Sequence, residues 1–198
     1  GIDGNAFLYN DQDLYKSKSK SLYLNNQNLV YWEDRRGGNI YVNETPFTTY
    51  YTFGSFVDAS GPSDAIQLSS YYDQKFPSIN QSGDGYLLSF VGGDIGTGDD
   101  MIKYQMVDQN LNPLGSSSEG VFIDDELFAP QGSNRTYGVA QLSSGLNMIA
   151  YSKSSQSSNY QSEIFSAFTD PVYPDGTGQD PTLVYSKSAD FSSLSVKD

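Results

Sequence analysis

Aspartate is the residue type that most strongly suggests chemistry in this sequence. It occurs 19 times against five glutamates, and several copies stand in short runs with glycine. Carboxylate oxygens on flexible glycine-containing loops are ligands that Ca²⁺ takes, together with backbone carbonyls and water. The runs at 92–100, 124–126 and 170–180 are therefore candidate calcium sites. The selected metal ligands come from the first two runs and are Asp94, Asp99, Asp100, Asp124 and Asp125.

None of these runs follows the order of a known calcium loop. The EF-hand needs acidic residues at fixed alternate positions and a terminal Glu, and the Gly-Gly-x-Gly-x-Asp repeat is only begun by Gly92-Gly93-Asp94. A solvated turn is the competing explanation for any one run, because aspartate accepts backbone hydrogen bonds in turns. The net charge of −13 favours bound cations, which would relieve self-repulsion. Calcium is thus the expected cofactor.

Paired carboxylates could also support glycoside hydrolysis. That reaction needs two acids held about 5 to 9.5 Å apart, and it needs neither histidine nor cysteine. Glu33 and Asp34, beside the single tryptophan Trp32, are the best candidates. Neighbouring residues on a strand face opposite sides, so these two acids do not form the pair with each other. A carbohydrate-active hydrolase, or its accessory module, is kept as the alternative function.

Two residue types that carry much of enzyme chemistry are missing. The chain has no cysteine and no histidine. This removes disulfides, thiolate nucleophiles, Ser-His-Asp triads and histidine-based metal sites. Because the remaining acids stand in hydrophilic turns, the sequence favours a protein that is not an enzyme.

Charge and hydropathy limit the partners. The chain has 11 Lys plus Arg against 24 Asp plus Glu, which argues against nucleic acid and against anionic membrane surfaces. It shows no signal peptide and no apolar run long enough to span a bilayer, so no membrane insertion is expected. At 198 residues the chain can bury one good core, so we expect residues 1–198 to be a single β domain, and we expect it to be monomeric. Because the sequence begins at Gly1 without methionine, we also expect it to be excised from a larger protein.

Tyrosine, with 16 copies, is the main candidate for ligand contact. It gives a large contact area with few rotatable bonds and a hydroxyl, which suits recognition of peptides or sugars. The pairs Tyr50-Tyr51 and Tyr71-Tyr72 are expected to put one ring on each face of a strand, one of them outward. The competing explanation is that the rings fill the core of a β protein. The selected ligand-binding residues are Trp32, Tyr50, Tyr71 and Tyr72.

Repeated strand pairs would position these residues. Leu29 to Trp32 and Ile40 to Val42 are short β-branched and aromatic runs, and glycines between them predict a hairpin. Similar pairs recur later, and Ile40, Ile102 and Ile164 are each 62 residues apart. We interpret these isoleucines as equivalent core positions of an internal repeat.

Each copy of the repeat can be drawn as four strands. The second copy comprises Phe76–Asn80, Tyr86–Phe90, Met101–Val107 and Gly120–Ile123, and the third comprises Tyr137–Leu142, Asn147–Tyr151, Glu163–Phe168 and Thr182–Tyr185. The predicted fold is all-β, with antiparallel four-stranded meanders repeated three to four times in a propeller-like arrangement. A fourth copy would be closed from the first twenty and last fifteen residues. A β-sandwich is the alternative, because its strands and turns have much the same pattern.

The segment from Trp32 to Tyr41 is similar to the Trp-x-Asp-x-Arg-x-Gly-x-Ile-Tyr hairpins in propeller-like repeats of prokaryotic surface proteins. By size, acidity and lack of cysteine, the chain also resembles a ligand-binding module of the calcium-dependent RTX-type bacterial adhesins. These resemblances imply an extracellular, cell-surface location. The expected function is calcium-dependent adhesion to a peptide or carbohydrate on another cell surface.

Overall fold

The computed structural model describes residues 16–24, 26–35, 39–42, 45–72, 74–93, 100–117, 120–127, 137–154, 162–169 and 182–187. The regular structure in these ranges is β-strand, and the sheets are antiparallel. Within the same ranges there is no helix long and apolar enough to cross a membrane. The predicted all-β class is confirmed.

The first sheet is built from residues on both sides of a small inserted ribbon. Its part of the chain contains β1 (Lys16–Leu24), β2 (Gln27–Asp34), β3 (Asn39–Val42), β4 (Thr45–Thr48), β5 (Tyr51–Asp58), β6 (Gly61–Pro62) and β7 (Ile66–Gln67). The sheet order is β1-β2-β5-β6, with β7 also paired to β5. Strands β3 and β4 pair with each other as a two-stranded ribbon.

The predicted hairpin between Leu29–Trp32 and Ile40–Val42 is therefore wrong. Trp32 lies opposite Phe53 of β5, and Ile40 lies opposite Phe47 of β4. The physical reason is strand length. The eight-residue β5 pairs with almost all of the eight-residue β2. If the four-residue β3 were the partner instead, half of the backbone groups of β2 along that edge would stay unpaired.

The second and third sheets are four-stranded meanders, as predicted. The second comprises β8 (Gln74–Ser82), β9 (Gly85–Gly93), β10 (Asp100–Val107) and β11 (Val121–Leu127), and the third comprises β12 (Tyr137–Gln141), β13 (Asn147–Ser154), β14 (Ser162–Thr169) and β15 (Thr182–Lys187). Residues 16–20 belong to β1 of the first sheet rather than to a fourth one, and 1–15 and 188–198 lie outside the described residues.

The second sheet packs between the other two. All nine residues of β9 are buried, because both faces of this strand are covered. Phe90 on one face packs in a cluster with Leu29 of the first sheet, and Val91 on the other face packs in a cluster with Ile149 of the third. The nearly unbroken apolar sequence of β9 follows from this double burial.

The first strands of the three sheets come together at one side. Strand β8 contacts β1, β2 and β5 of the first sheet and β12 of the third. Side-by-side first strands are the arrangement of the innermost strands in propeller blades. The molecule is therefore propeller-like, and β8 is the strand at which its sheets converge.

Candidate functional site

The most unusual backbone near this convergence is at Phe76 in β8. Phe76 has a φ of 54°, in the left-handed region that non-glycine residues rarely adopt. The pairing of β8 with β9 shifts register between Lys75 and Ser78, which marks a β-bulge. A bulge redirects a side chain out of the regular alternation. Phe76 is accordingly 38% exposed, although it lies on a strand that is covered on both sides.

Side chains from both neighbouring sheets hold this bulge. The Phe76 amide donates to Glu33 Oε1 of β2 at 2.6 Å. The Tyr137 hydroxyl of β12 lies within hydrogen-bond distance of the Phe76 carbonyl and, at 2.8 Å, of the Ser89 carbonyl, and its single proton is shared between these two acceptors. Glu33 is only 1% exposed, so a buried carboxylate fixes the amide. Burial raises the pKa of Tyr137 well above its ordinary value, and its hydroxyl therefore keeps the donated proton. These contacts stabilise a backbone conformation that would otherwise cost about 1 to 3 kcal/mol.

Two further side chains form hydrogen bonds with the backbone of β8. Lys20 of β1 donates through Nζ to the Pro77 carbonyl at 3.2 Å, and Tyr31 of β2 accepts the Ile79 amide at 3.3 Å. Burial raises the pKa of Tyr31, which keeps this phenol neutral. We use the name Phe76 site for Lys20, Glu33, Phe76 and Tyr137.

The Phe76 site combines an exposed aromatic ring with polar groups of both charges. An exposed ring can stack on the C–H face of a sugar or on another planar group. The exposed Lys20 supplies a cation, whereas Glu33 is buried beneath the strand and holds the Phe76 amide. Chemically, such a site can bind a ligand that has one apolar face and a hydroxyl-rich edge.

The adjacent acids Glu33 and Asp34 point to opposite faces of β2, as the alternation of side chains along a strand requires. Glu33 reaches β8, whereas Asp34 accepts a hydrogen bond from Trp32 Nε1 at 3.1 Å on the opposite face of β2. Asp34 is fully buried, and Trp32 is 3% exposed and stacks on Phe53 at 6.4 Å between ring centroids. The structure thus places the predicted ligand contact Trp32 in the core.

Of the selected tyrosines, Tyr71 is buried, and Tyr50 and Tyr72 are half-buried. Tyr71 and Tyr72 stack on each other at 4.6 Å, and both hydroxyls donate to the Gly93 carbonyl. The expectation that one ring of this pair points outward from a strand is wrong, because the two residues lie in a loop before β8. Tyr50 is half-buried beneath the Arg35 guanidinium, 5.0 Å from its ring centroid.

The structure describes the side chain of none of the five selected calcium ligands. Asp94 and Asp99 lie outside the described residues. Asp100 begins β10 opposite Leu127, and Asp124 and Asp125 lie within β11. Among the side chains that are described, no group of three or more acids could hold a metal ion. The calcium site stays a prediction.

Sequence reasoning missed the Phe76 site, although one signal was present. Proline inside a strand is confined to edges and bulges, and Phe76-Pro77 interrupts an otherwise ordinary strand. Lys20 is exposed on β1 and also donates to the Pro77 carbonyl. Nothing in the sequence indicates that Tyr137, 61 residues away, meets the same bulge.

Comparison with protein-family models and with curated proteins found no match. Solved structures do match. A GH43_1 enzyme from Xanthomonas citri complexed with xylotriose has 10% identity and a TM-score of 0.49, with 87% of this chain and 55% of that chain covered. A thermostable family-43 glycoside hydrolase has 13% identity and a TM-score of 0.48, with 89% and 55% covered. This chain thus spans about half the length of the structures that it matches.

These matches correct the functional prediction. The solved structures are named as glycoside hydrolases, which is the class kept as the alternative. The expected calcium-dependent adhesion module and the expectation that the chain is not an enzyme are both contradicted by this finding. At 10 to 13% identity the likeness concerns the fold.

Proposed function

We propose that this chain is part of a carbohydrate-active β-propeller and that the Phe76 site binds an oligosaccharide. The observation that carries the proposal is the exposed Phe76 ring on the convergent strand β8. Its backbone is fixed on one side by Glu33 and on the other by Tyr137. Because the backbone that carries the ring is already fixed, little backbone freedom is lost when a ligand stacks on the ring, which favours binding.

The charge of the protein supports a neutral glycan over an acidic one. At a net charge of −13 the surface repels anionic ligands at long range. A neutral oligosaccharide pays no such cost, and its hydroxyls can accept hydrogen bonds from the exposed Lys20. Aromatic stacking supplies the remaining contact area.

Hydrolysis is the reaction to be tested at this site. Carboxylate-dependent glycoside hydrolysis needs a second acid at a defined distance from the first. Glu33 can supply one acid, but Asp34 faces the other side of the sheet and does not supply the second. The proposal therefore assigns Glu33 to the site and leaves its partner acid unassigned.

The binding test compares Phe76→Ala with Tyr23→Ala. Both rings are exposed, at 38% and 64%, but among the described residues the Tyr23 hydroxyl hydrogen-bonds only to nearby Asn26. Xylotriose and other neutral β-linked oligosaccharides are titrated by calorimetry. Loss of the stacking ring should weaken binding by about tenfold, or roughly 1.4 kcal/mol, while Tyr23→Ala should bind like the parent. Equal affinity of the two variants would overturn the assignment of the site.

The hydrolysis test uses Glu33→Gln, which keeps the size and an acceptor for the Phe76 amide. Release of reducing sugar from the oligosaccharides that bind should fall by at least about a hundredfold if Glu33 acts as acid or base. Unchanged binding and unchanged thermal melting serve as controls for folding. Hydrolysis that persists at the parent rate would remove Glu33 from the reaction.

A further inference from the structure

A cavity of about 530 Å³ lies at the other end of the second sheet. It is formed by the β8–β9 turn, at Ser82 to Gly85, and by the loop after β10, from Asp108 to Leu114. From Phe76 to Ser82 the chain runs along β8 for six residues, or about 20 Å. The cavity is therefore separate from the Phe76 site, and its size is in the range of small-molecule sites.

The loop that forms one wall is held rigidly. Asp108 Oδ1 accepts the amides of Asn110 and Asn112, each at 2.8 Å, and Oδ2 accepts Asn112 Nδ2 at 3.0 Å. Leu111 has a φ of 69° and is fully buried in the core shared with the first sheet. Gln105 Nε2 donates to the Leu114 carbonyl at 2.9 Å. A wall fixed at so many points needs little reordering when a ligand binds.

The turn that forms the other wall is fixed by close packing. A Cβ on Gly85 would lie 2.2 Å from the Val107 carbonyl oxygen, so only glycine allows the turn to approach β10 this closely. Ser82 Oγ accepts Asn147 Nδ2 at 2.9 Å, and its own proton points to the Met106 sulfur, a weak acceptor. A ligand oxygen could compete for that proton.

Asn147, which lies next to this wall, also has a polar atom that lacks a hydrogen-bond partner among the residues described. The residue is fully buried, and its Oδ1 has no hydrogen-bond partner among the residues described. Buried polar atoms without partners are uncommon and call for a physical account. Its amide nitrogen is bonded to Ser82, which itself lines the cavity. The lining residue Ser82 thus connects the cavity to this buried amide.

The charge of the residues that line the cavity disfavours anionic ligands. Its ionisable residues are Asp84 and Asp108, and the lining contains no basic residue. Burial raises the pKa of Asp108, but hydrogen bonds from Asn112 and Asn110 outweigh this effect and hold it below its ordinary value. Asp108 is therefore ionised at neutral pH, and a phosphate or carboxylate ligand would be repelled.

The lining also offers an apolar contact. Leu114 is 39% exposed while its backbone is anchored to Met106 and Gln105. An aliphatic side chain among carboxylates and amides matches a ligand whose C–H groups and hydroxyls lie on different faces. We propose that this cavity is a second binding site, independent of the Phe76 site, for a neutral hydroxyl-rich ligand the size of one sugar unit.

Titration of the ¹⁵N-labelled full chain with single sugars tests the proposal. Xylose and glucose are the neutral probes, glucuronate is the anionic probe and glucosamine the cationic one. The neutral sugars should shift the amide signals of Gly83, Gly85 and Asn110, and glucuronate should not. Absence of any shift with the neutral sugars overturns the proposal, and so does a response to glucosamine alone.

Two variants locate the binding in the cavity. Leu114→Ser and Asp84→Asn change exposed side chains, and each should weaken neutral-sugar binding several-fold with unchanged melting. Asp58→Asn, in an exposed turn of the first sheet, is the matched control for removal of one charge. Phe76→Ala should leave these shifts intact, which separates this proposal from the proposed function. Shifts that survive both cavity variants would place the binding elsewhere and refute the assignment.

Discussion

At the scale of residues, adjacent positions in this chain take opposite roles. Glu33 faces the second sheet and fixes the Phe76 amide, whereas Asp34 faces away and accepts the Trp32 indole. The alternation of a strand predicts this separation from sequence. What it cannot predict is which face meets a functional strand, because that depends on the packing of sheets distant in sequence.

Asp108 gives a residue-scale prediction about pH. Its pKa is held below the ordinary value, so the ionised form stabilises the folded state above the unfolded pKa of about 3.9. This contribution should be lost as the pH falls through the folded pKa. Asp108→Asn should therefore be less stable than the parent at pH 7, and the difference should shrink below about pH 4.

Urea unfolding of the parent and the Asp108→Asn variant at several pH values measures this difference. Asp64→Asn, which removes an exposed carboxylate from a loop, controls for the change in net charge. A gap between the parent and the Asp108 variant that stays constant from pH 7 down to pH 2 would contradict the proposed role of the carboxylate.

At the scale of elements, the second and third sheets were predictable and the first was not. The predicted strands Tyr86–Phe90 and Asn147–Tyr151 lie inside β9 and β13. In these sheets each strand pairs with its neighbour in sequence, so local turn signals suffice. In the first sheet β2 pairs with β5 across the β3–β4 ribbon, and no local pattern identifies that partner.

The 62-residue spacing of the isoleucines also fails to predict the first sheet. Ile102 and Ile164 lie in the third strands of their sheets, but Ile40 lies in the separate ribbon, where no equivalent strand exists. The spacing therefore describes a repeat in two copies rather than three. The Phe76 site was missed for a related reason, since its contacts join strands of all three sheets.

Replacement of Ile102 and Ile164 by alanine gives an element-scale prediction. Ile102 is 2% exposed and packs toward the third sheet, whereas Ile164 is half-buried. Phe165 faces the second sheet, so its neighbour Ile164 faces away from it. Ile102→Ala should cost about 2 to 5 kcal/mol and Ile164→Ala clearly less. Chemical denaturation measures both, and equal losses would show that the outer face of the third sheet is as well packed as the inner interface.

At the scale of the whole molecule, two clusters of buried side chains in the described part of the chain and the strand β8 organise the fold. The second sheet contributes to both cores, and β8 carries the Phe76 site at one end and the cavity at the other. Unfolding of this sheet would disrupt both sites together. Ligands of either site should therefore stabilise the same cooperative unit, by mass action on the folded state.

The acid excess gives the last prediction. A net charge of −13 repels itself in the compact state, so screening by salt should raise the melting temperature between low and moderate NaCl. This effect needs no binding site and should be the same for any salt at equal ionic strength. A calcium site at the predicted aspartates would add a second effect, of about 2.7 kcal/mol when free Ca²⁺ reaches a hundred times its dissociation constant. Melting in EDTA, in millimolar CaCl₂ and in MgCl₂, with NaCl adjusted to constant ionic strength, separates the two. A calcium-specific increase that is reduced in Asp99→Asn and Asp100→Asn would support the metal site, whereas identical midpoints in all three would leave general screening as the whole effect and refute it.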